Sequence, residues 1–378
     1  MLLVNKQYFA RLSGLLFLIV IFTGAATVQA AAATDKKPVA HKAPAKAAPA
    51  PLIDAIVLRG DHSTARAMKD LIKQYELSKQ GKITLQPFST VSGLDAVSAG
   101  TADIAGTARA AMPDRAEEKG INFYPVAWDA VVPIVAFDNP VSNITLKQLH
   151  DVYLGRVNNW KDLGGPDSPI NLYAIAPPLD GVEYSARLLL FHFGDQAVAA
   201  PRLYVNTEKL EEGITIDPHG MGLSTFSGVM TNPKVKMLTV EGARASLATI
   251  SDGSYPMYSA LYLASRDDGK QHEAVEKFMA FSGSETAKEI LRKDGLVPYG
   301  DVPNLMEKQA MRSAFVDSRV FGPAAPAATV AVTSATPVSA PNATAQSLQR
   351  IAPTSERAIE AKDRAVRANA EKADGTGN

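Results

Sequence analysis

Residues 53–109 read IDAIVLRGDHSTARAMKDLIKQYELSKQGKITLQPFSTVSGLDAVSAGTADIAGTAR, and the changes of period within them decide the fold. Residues 53–58 form a short apolar run of strand character and residues 59–64 a polar turn; Met68, Leu71, Ile72 and Tyr75 then recur at helical spacing. The unit repeats. Residues 83–88 are a second strand, 89–93 a hydroxyl-rich loop, and 94–99 a short helix that Gly100 stops. A third strand at 102–105 runs into Gly106-Thr107-Ala108-Arg109. Strands that alternate with helices predict an α/β protein whose strands pair in parallel through crossover helices.

The pattern continues outward. Residues 131–137 (VVPIVAF) are unbroken apolar sequence, expected for a strand buried on both faces or one that crosses between lobes. Thr145 and Gln148 have the spacing of a capping box ahead of Leu146, Leu149, Val152 and Tyr153. Residues 170–176 read as a strand, 183–193 as a helix ending at Gly194, and 258–265 as a late strand. Two helices follow at 272–281 and 285–292, the second with Ser284 at its N-cap and Gly295 as its stop.

The ends differ from this core. Lys6 and Arg11 precede an apolar run at 12–26, and Val28-Gln29-Ala30 supplies small residues at the cleavage positions, so residues 1–30 are expected to be a secretory signal cut near Ala30. The run is shorter than the roughly 20 residues that span a bilayer. Residues 31–51 are Ala, Pro and Lys, a composition that buries too little apolar surface to order and predicts an extended tether. Residues 301–322 form an extension, and 323–378 a low-complexity and charged tail. Within that tail 355–373 has good helix formers but a thin apolar stripe, and reads equally as a solvated helix or as disorder.

Composition excludes several function classes. There is no cysteine, hence no disulfide frame, thiolate metal site or lipid-anchored N-terminus. Lys and Arg number 39 against 39 Asp and Glu, with no basic stripe interleaved with aromatics, which argues against nucleic acid as a partner. Six scattered histidines lack metal-ligand spacing. No nucleophile elbow, Walker loop or cofactor motif occurs, so neither an enzyme nor a bound cofactor is expected.

What remains is the chemistry of the loops at 61–64, 89–93 and 106–109. At the carboxyl ends of parallel strands such loops converge on one crevice, where helix N-termini present unpaired N–H groups and partial positive charge. That is an environment for an anion. Ser63, Thr64, Thr90 and Ser92 supply hydroxyls, Gly93 a close backbone, Thr107 a further hydroxyl, and Arg109 a planar fork of donors. The same Ser and Thr residues also serve as helix caps and turn formers, and Arg109 as a surface ion pair.

Taken together, the segments 60–64 (GDHST), 90–109 (TVSGLDAVSAGTADIAGTAR), 130–165 (AVVPIVAFDNPVSNITLKQLHDVYLGRVNNWKDLGG), 249–265 (TISDGSYPMYSALYLAS) and 278–298 (FMAFSGSETAKEILRKDGLVP) resemble the PstS-like, phosphate-type solute-binding proteins of ABC importers, within the periplasmic binding protein superfamily. The Leu-x-x-Val-Tyr-x-Gly and Asn-Trp spacing of 143–165 is the most specific part. The resemblance implies a two-lobed type II fold over residues 53–300, each lobe a mostly parallel sheet flanked by helices. Lobe 1 would hold 53–130 and 258–300, lobe 2 would hold 131–257, and the strands at 131–137 and 258–265 would cross between them. It implies a phosphate or related oxyanion held between lobes by Ser63, Thr64, Thr90, Ser92, Gly93, Thr107 and Arg109. A monomer in the periplasm that passes its ligand to an inner-membrane ABC permease is the corresponding expectation.

The chain departs from that pattern in three places. Where the family opens a second-lobe helix with a Ser-Gly-Thr-Arg type motif, this chain reads APPLDGVEYSAR, so that either Asp180-Gly181-Val182 or Ser185-Ala186-Arg187 takes the place. Asp61 and His62 stand where small polar residues are usual, and no carboxylate is expected near Thr107, where the family's high-affinity phosphate binders use one to accept a ligand proton. Gly181, Ser185 and Arg187 therefore join the candidate ligand residues. An envelope interaction or sensing module that has kept the fold without tight anion binding is the alternative expectation.

Overall fold

The computed structural model describes residues 55–177 and 181–322. The expected signal, tether and C-terminal tail lie outside the described residues, as does Asp180. The chain opens β1 (Ile56–Asp61), α1 (His62–Leu77), β2 (Ile83–Phe88), α2 (Thr90–Ser98), β3 (Ile104–Thr107) and β4 (Asn122–Ala136). It continues β5 (Asn143–Ile144), α3 (Leu146–Tyr153), β6 (Asn171–Ile175), α4 (Gly181–Phe191), β7 (Arg202–Tyr204), α5 (Thr207–Ile214), β8 (Gly220–Thr225) and α6 (Phe226–Val229). The remainder is β9 (Val235–Met237), β10 (Thr239–Val240), α7 (Leu247–Ser251), β11 (Tyr258–Ser265), α8 (His272–Ser282), α9 (Glu285–Lys293), β12 (Val297–Pro298) and α10 (Gln309–Val320).

The principal sheet has the order β2-β1-β3-β11-β4-β8-β6-β7, with β9 and β12 pairing to β4. β1 runs parallel to both β2 and β3, which puts the carboxyl ends of all three at one edge of the sheet. β6 likewise runs parallel to β7 and β8. The two parallel groups are joined through β11 and β4, which pair antiparallel. β4 is a single strand that changes partner along its length: up to Ala130 it faces β11, and from Val131 it faces β8. The chain is thus a mixed α/β protein, a curled sheet clad in helices.

Local chemistry explains where the elements begin. Asp61 caps α1 by accepting the Thr64 N–H, Ser89 caps α2 through the Ser92 N–H, and Ser284 caps α9 through the Ala287 N–H. Thr145 and Gln148 form the reciprocal capping box of α3, behind which Leu146, Leu149 and Tyr153 are fully buried. In the Asn-Trp segment Asn159 Oδ1 accepts the Lys161 N–H at 3.0 Å, and the buried Trp160 indole donates to the His219 carbonyl at 3.2 Å. The motif is a packing device that ties the 143–165 stretch to the residue that leads into β8.

Some elements are longer than the sequence suggests. β1 extends through Gly60 and Asp61, because both its edges are paired, to β2 and to β3. α2 starts four residues earlier than its apolar stripe, at Thr90, because Ser89 caps it there. β4 begins at Asn122, well before the apolar run, and the extension contains Asp129 and Pro125, which lies beside a register shift in β11. α10, within the expected extension, packs against α3 and α4; Arg312 donates to the Tyr258 carbonyl, and Asp317 pairs with His192 at 2.6 Å.

Candidate functional site

The convergence of the three loops has a definite centre, and a carboxylate occupies it. Asp61, the last residue of β1 and the cap of α1, is fully buried. Its Oδ1 accepts the Thr64 N–H at 2.8 Å. Its Oδ2 accepts the Thr64 hydroxyl at 3.0 Å, the Thr90 hydroxyl at 3.1 Å and the Ala108 N–H at 3.0 Å. Three strand ends therefore deliver donors to a single oxygen pair: β1 through Thr64, β2 through Thr90, β3 through Ala108. Burial pushes the Asp61 carboxyl above the ordinary aspartate value, while those hydrogen bonds pull it down.

The start of α4 closes the arrangement from the other half of the sheet. A Cβ placed on Gly181 would lie 2.8 Å from the Ala108 nitrogen and 2.9 Å from the Thr90 hydroxyl, so only glycine lets the helix terminus come this near. One turn on, Ser185 donates to the Ala108 carbonyl at 2.8 Å, and Ser259 of β11 donates to the same oxygen at 2.9 Å. Ala108 is thereby held on both its polar atoms, its N–H by Asp61 and its C=O by two hydroxyls.

The other candidate residues have distinct places. Ser63 lies buried in the first turn of α1. The Ser92 N–H caps onto Ser89 at 3.2 Å, and Gly93 sits where any side chain would strike the Arg59 carbonyl of β1, a close helix-to-strand approach. Thr107 closes a local turn: its hydroxyl accepts the Arg109 N–H and donates to the Arg109 carbonyl, both at 3.1 Å. Neither arginine points at Asp61. The Arg109 guanidinium lies in a buried pair with Glu118, Nη2 to Oε1 at 2.6 Å, with its Nη1 on the Ala110 carbonyl and the Tyr184 ring 5.7 Å away. Arg187 is paired with Glu183 at 2.8 Å and donates to the Gln196 carbonyl at 2.7 Å.

Asp61, which the sequence marks only as a departure from the family pattern, is thus the missed site residue, and the expectation of no carboxylate near Thr107 is overturned. A carboxylate does stand at the end of β3, but it arrives from β1, 47 residues before Ala108. The one available signal was an acidic residue at a helix cap ahead of Ser63 and Thr64, which an Asp N-cap explains without any ligand. Among the described residues no group of three His, Cys, Asp or Glu is placed to hold a metal ion. No helix among them is long and apolar enough to cross a membrane.

A curled α/β sheet with strand-end donors gathered under an opposing helix terminus is the architecture of the periplasmic-binding-protein class. The profile of the PBP superfamily domain matches residues 45–286, and the chain belongs to that superfamily, a group of solute-binding proteins rather than enzymes. The phosphate-binding protein PstS of Bacillus subtilis is 28% identical over 178 residues, 46% of this chain and 57% of the relative. Protein SphX of Synechococcus elongatus is 25% identical over 201 residues, 49% of this chain and 58% of the relative. The chain thus spans a little over half the length of these curated relatives. Among solved structures, a phosphate ABC transporter substrate-binding protein from Clostridium perfringens with bound phosphate superposes with TM-score 0.58 at 20% identity, covering 65% of this chain and 99% of that one. An ABC-type phosphate transport receptor from Vibrio cholerae gives TM-score 0.53 at 26% identity, covering 64% and 99%.

Proposed function

We propose that this chain is an exported solute-binding protein for phosphate or a related oxyanion, which it carries to an inner-membrane ABC permease. The observation that carries the reading is the meeting of Thr64, Thr90 and Ala108 donors at one buried point beneath the N-terminal turn of α4. Neutral N–H and O–H donors gathered at strand ends and helix starts bind an oxyanion without a formal counter-charge. Lobe 1 is assigned to residues 53–130 and 258–300 and lobe 2 to 131–257, with Ser63, Thr64, Thr90, Ser92, Gly93, Thr107, Arg109, Gly181, Ser185 and Arg187 around the cleft between them. Closing those lobes over the ligand and opening them at the permease constitute the transport cycle. The sequence similarity to phosphate-binding proteins supports this choice of anion.

One observation favours a second reading, an envelope interaction or sensing module that takes no anion tightly: a carboxylate of the protein itself occupies the donors, and both nearby arginines are already paired. Calorimetric titration of the purified chain with inorganic phosphate separates the two. A dissociation constant of about micromolar or tighter supports transport. No heat from phosphate, sulfate or arsenate overturns it in favour of the interaction module.

A further inference from the structure

We propose that Asp61 acts as an internal anion, filling the oxyanion cradle of the closed protein and setting affinity by competition, so that an incoming ligand has to displace it. The inference rests on reading the cleft as an anion site and adds what controls it. Asp61 is fully buried, yet every partner of its charge is a neutral donor: the Thr64 N–H and hydroxyl, the Thr90 hydroxyl and the Ala108 N–H. This is the coordination of a bound oxyanion, supplied here by a side chain. Three of those donors reach the same oxygen, Oδ2, from segments that follow three different strands, which a simple helix cap does not require. The cap itself needs only the Oδ1 bond to the Thr64 N–H.

Among the described residues the approach to these donors is already taken. The start of α4 stands directly over them, with the Gly181 Cβ direction running into the Ala108 nitrogen and the Thr90 hydroxyl. An oxyanion that takes the Thr90 and Ala108 donors therefore has to enter where the Asp61 carboxylate now lies, and two like charges do not share so small a volume. Replacing the carboxylate by a group that keeps the cap and drops the charge frees the cradle. Serine does this, since its hydroxyl accepts the Thr64 N–H as an ordinary N-cap.

The test is calorimetric titration of inorganic phosphate and, separately, sulfate into the full chain, comparing wild type, Asp61→Ser and the double variant D61S/T90V. Asp61→Ser is expected to bind phosphate about tenfold or more tightly than wild type, and the double variant, which lacks one of the freed donors, to lose most of that gain. Should Asp61→Ser not fold, as judged by circular dichroism, Asp61→Gly, also a tolerated N-cap and one that empties the cradle, is held to the same criterion. Phosphate binding by Asp61→Ser alone, with none by wild type, sustains the inference and overturns transport. Wild-type binding that Asp61→Ser leaves unchanged or weakens overturns the inference while transport stands. Absence of binding in both overturns both.

Discussion

Arg109 has the chemistry of an anion ligand but the surroundings of a structural ion pair, and a double-mutant cycle with Glu118 decides between them. Both side chains are about 5% exposed or less, and Nη2 lies 2.6 Å from Oε1. Removing one member of a buried pair strands the other, which costs about 3–5 kcal/mol. Arg109→Met belongs at the lower end, because Glu118 keeps the Met112 N–H at 2.7 Å and Arg115 Nε at 3.1 Å. Glu118→Gln belongs at the upper end, since among the described residues the Arg109 cation keeps the Ala110 carbonyl, the Tyr184 ring and the attraction of Asp95 but no paired carboxylate. In the double variant neither charge is stranded, so its loss is expected to fall short of the sum by about 2 kcal/mol. Urea unfolding followed by circular dichroism reads all four proteins, and the single variants are expected to unfold at clearly lower urea. An Arg109→Met protein with the wild-type midpoint refutes the structural role. If that protein has also lost anion binding, the guanidinium serves the ligand.

Two further outcomes follow from the same geometry. Burial pushes the Asp129 carboxyl to about 6 from 3.8, so the native state holds that proton more tightly than the unfolded chain. Its ionisation costs stability above about pH 6, a cost relieved as pH falls through that value and absent below the unfolded one; a shift of about two units amounts to about 3 kcal/mol. The urea midpoint is expected to rise between about pH 7.5 and pH 5 and to rise less in Asp129→Asn; an equal rise in both refutes the assignment. Gly181→Ala forces a methyl within 2.8 Å of the Ala108 nitrogen, and is expected to lower stability by about 1–3 kcal/mol; an unchanged thermal midpoint shows that α4 does not press on that loop.

The parts of the fold that were legible in the sequence are those whose cause lies within a few residues. Thr145 and Ser284 cap helices through bonds that span three residues, so the hydroxyl and the helix it starts can be read together. β2 and β11 match their sequence readings because apolar runs bounded by polar turns mark them. The first half of β4 could not be read this way. Pro125 sits beside a register shift, and Asp129 is satisfied by Ser227, 98 residues further on. The site behaves alike. The convergence of three hydroxyl-bearing loops follows from parallel strand order, whereas the position of Asp61 at their centre depends on Thr90 and Ala108, 29 and 47 residues away. Arg109 and Glu118 lie nine residues apart with no helical or strand period between them, so nothing local announces their pairing.

That β4 runs unbroken from Asn122 to Ala136 bears on the proposed opening and closing of the lobes. At the point where it passes from β11 to β8, the Val131 N–H donates to the Met257 carbonyl at 2.7 Å and the Tyr255 hydroxyl donates to the Val131 carbonyl at 2.9 Å. Swinging the two halves apart while those bonds persist flexes a continuous ribbon rather than turning a slack joint. Such a ribbon stores elastic energy and returns it, which favours small excursions of fixed direction over free tumbling of one half against the other.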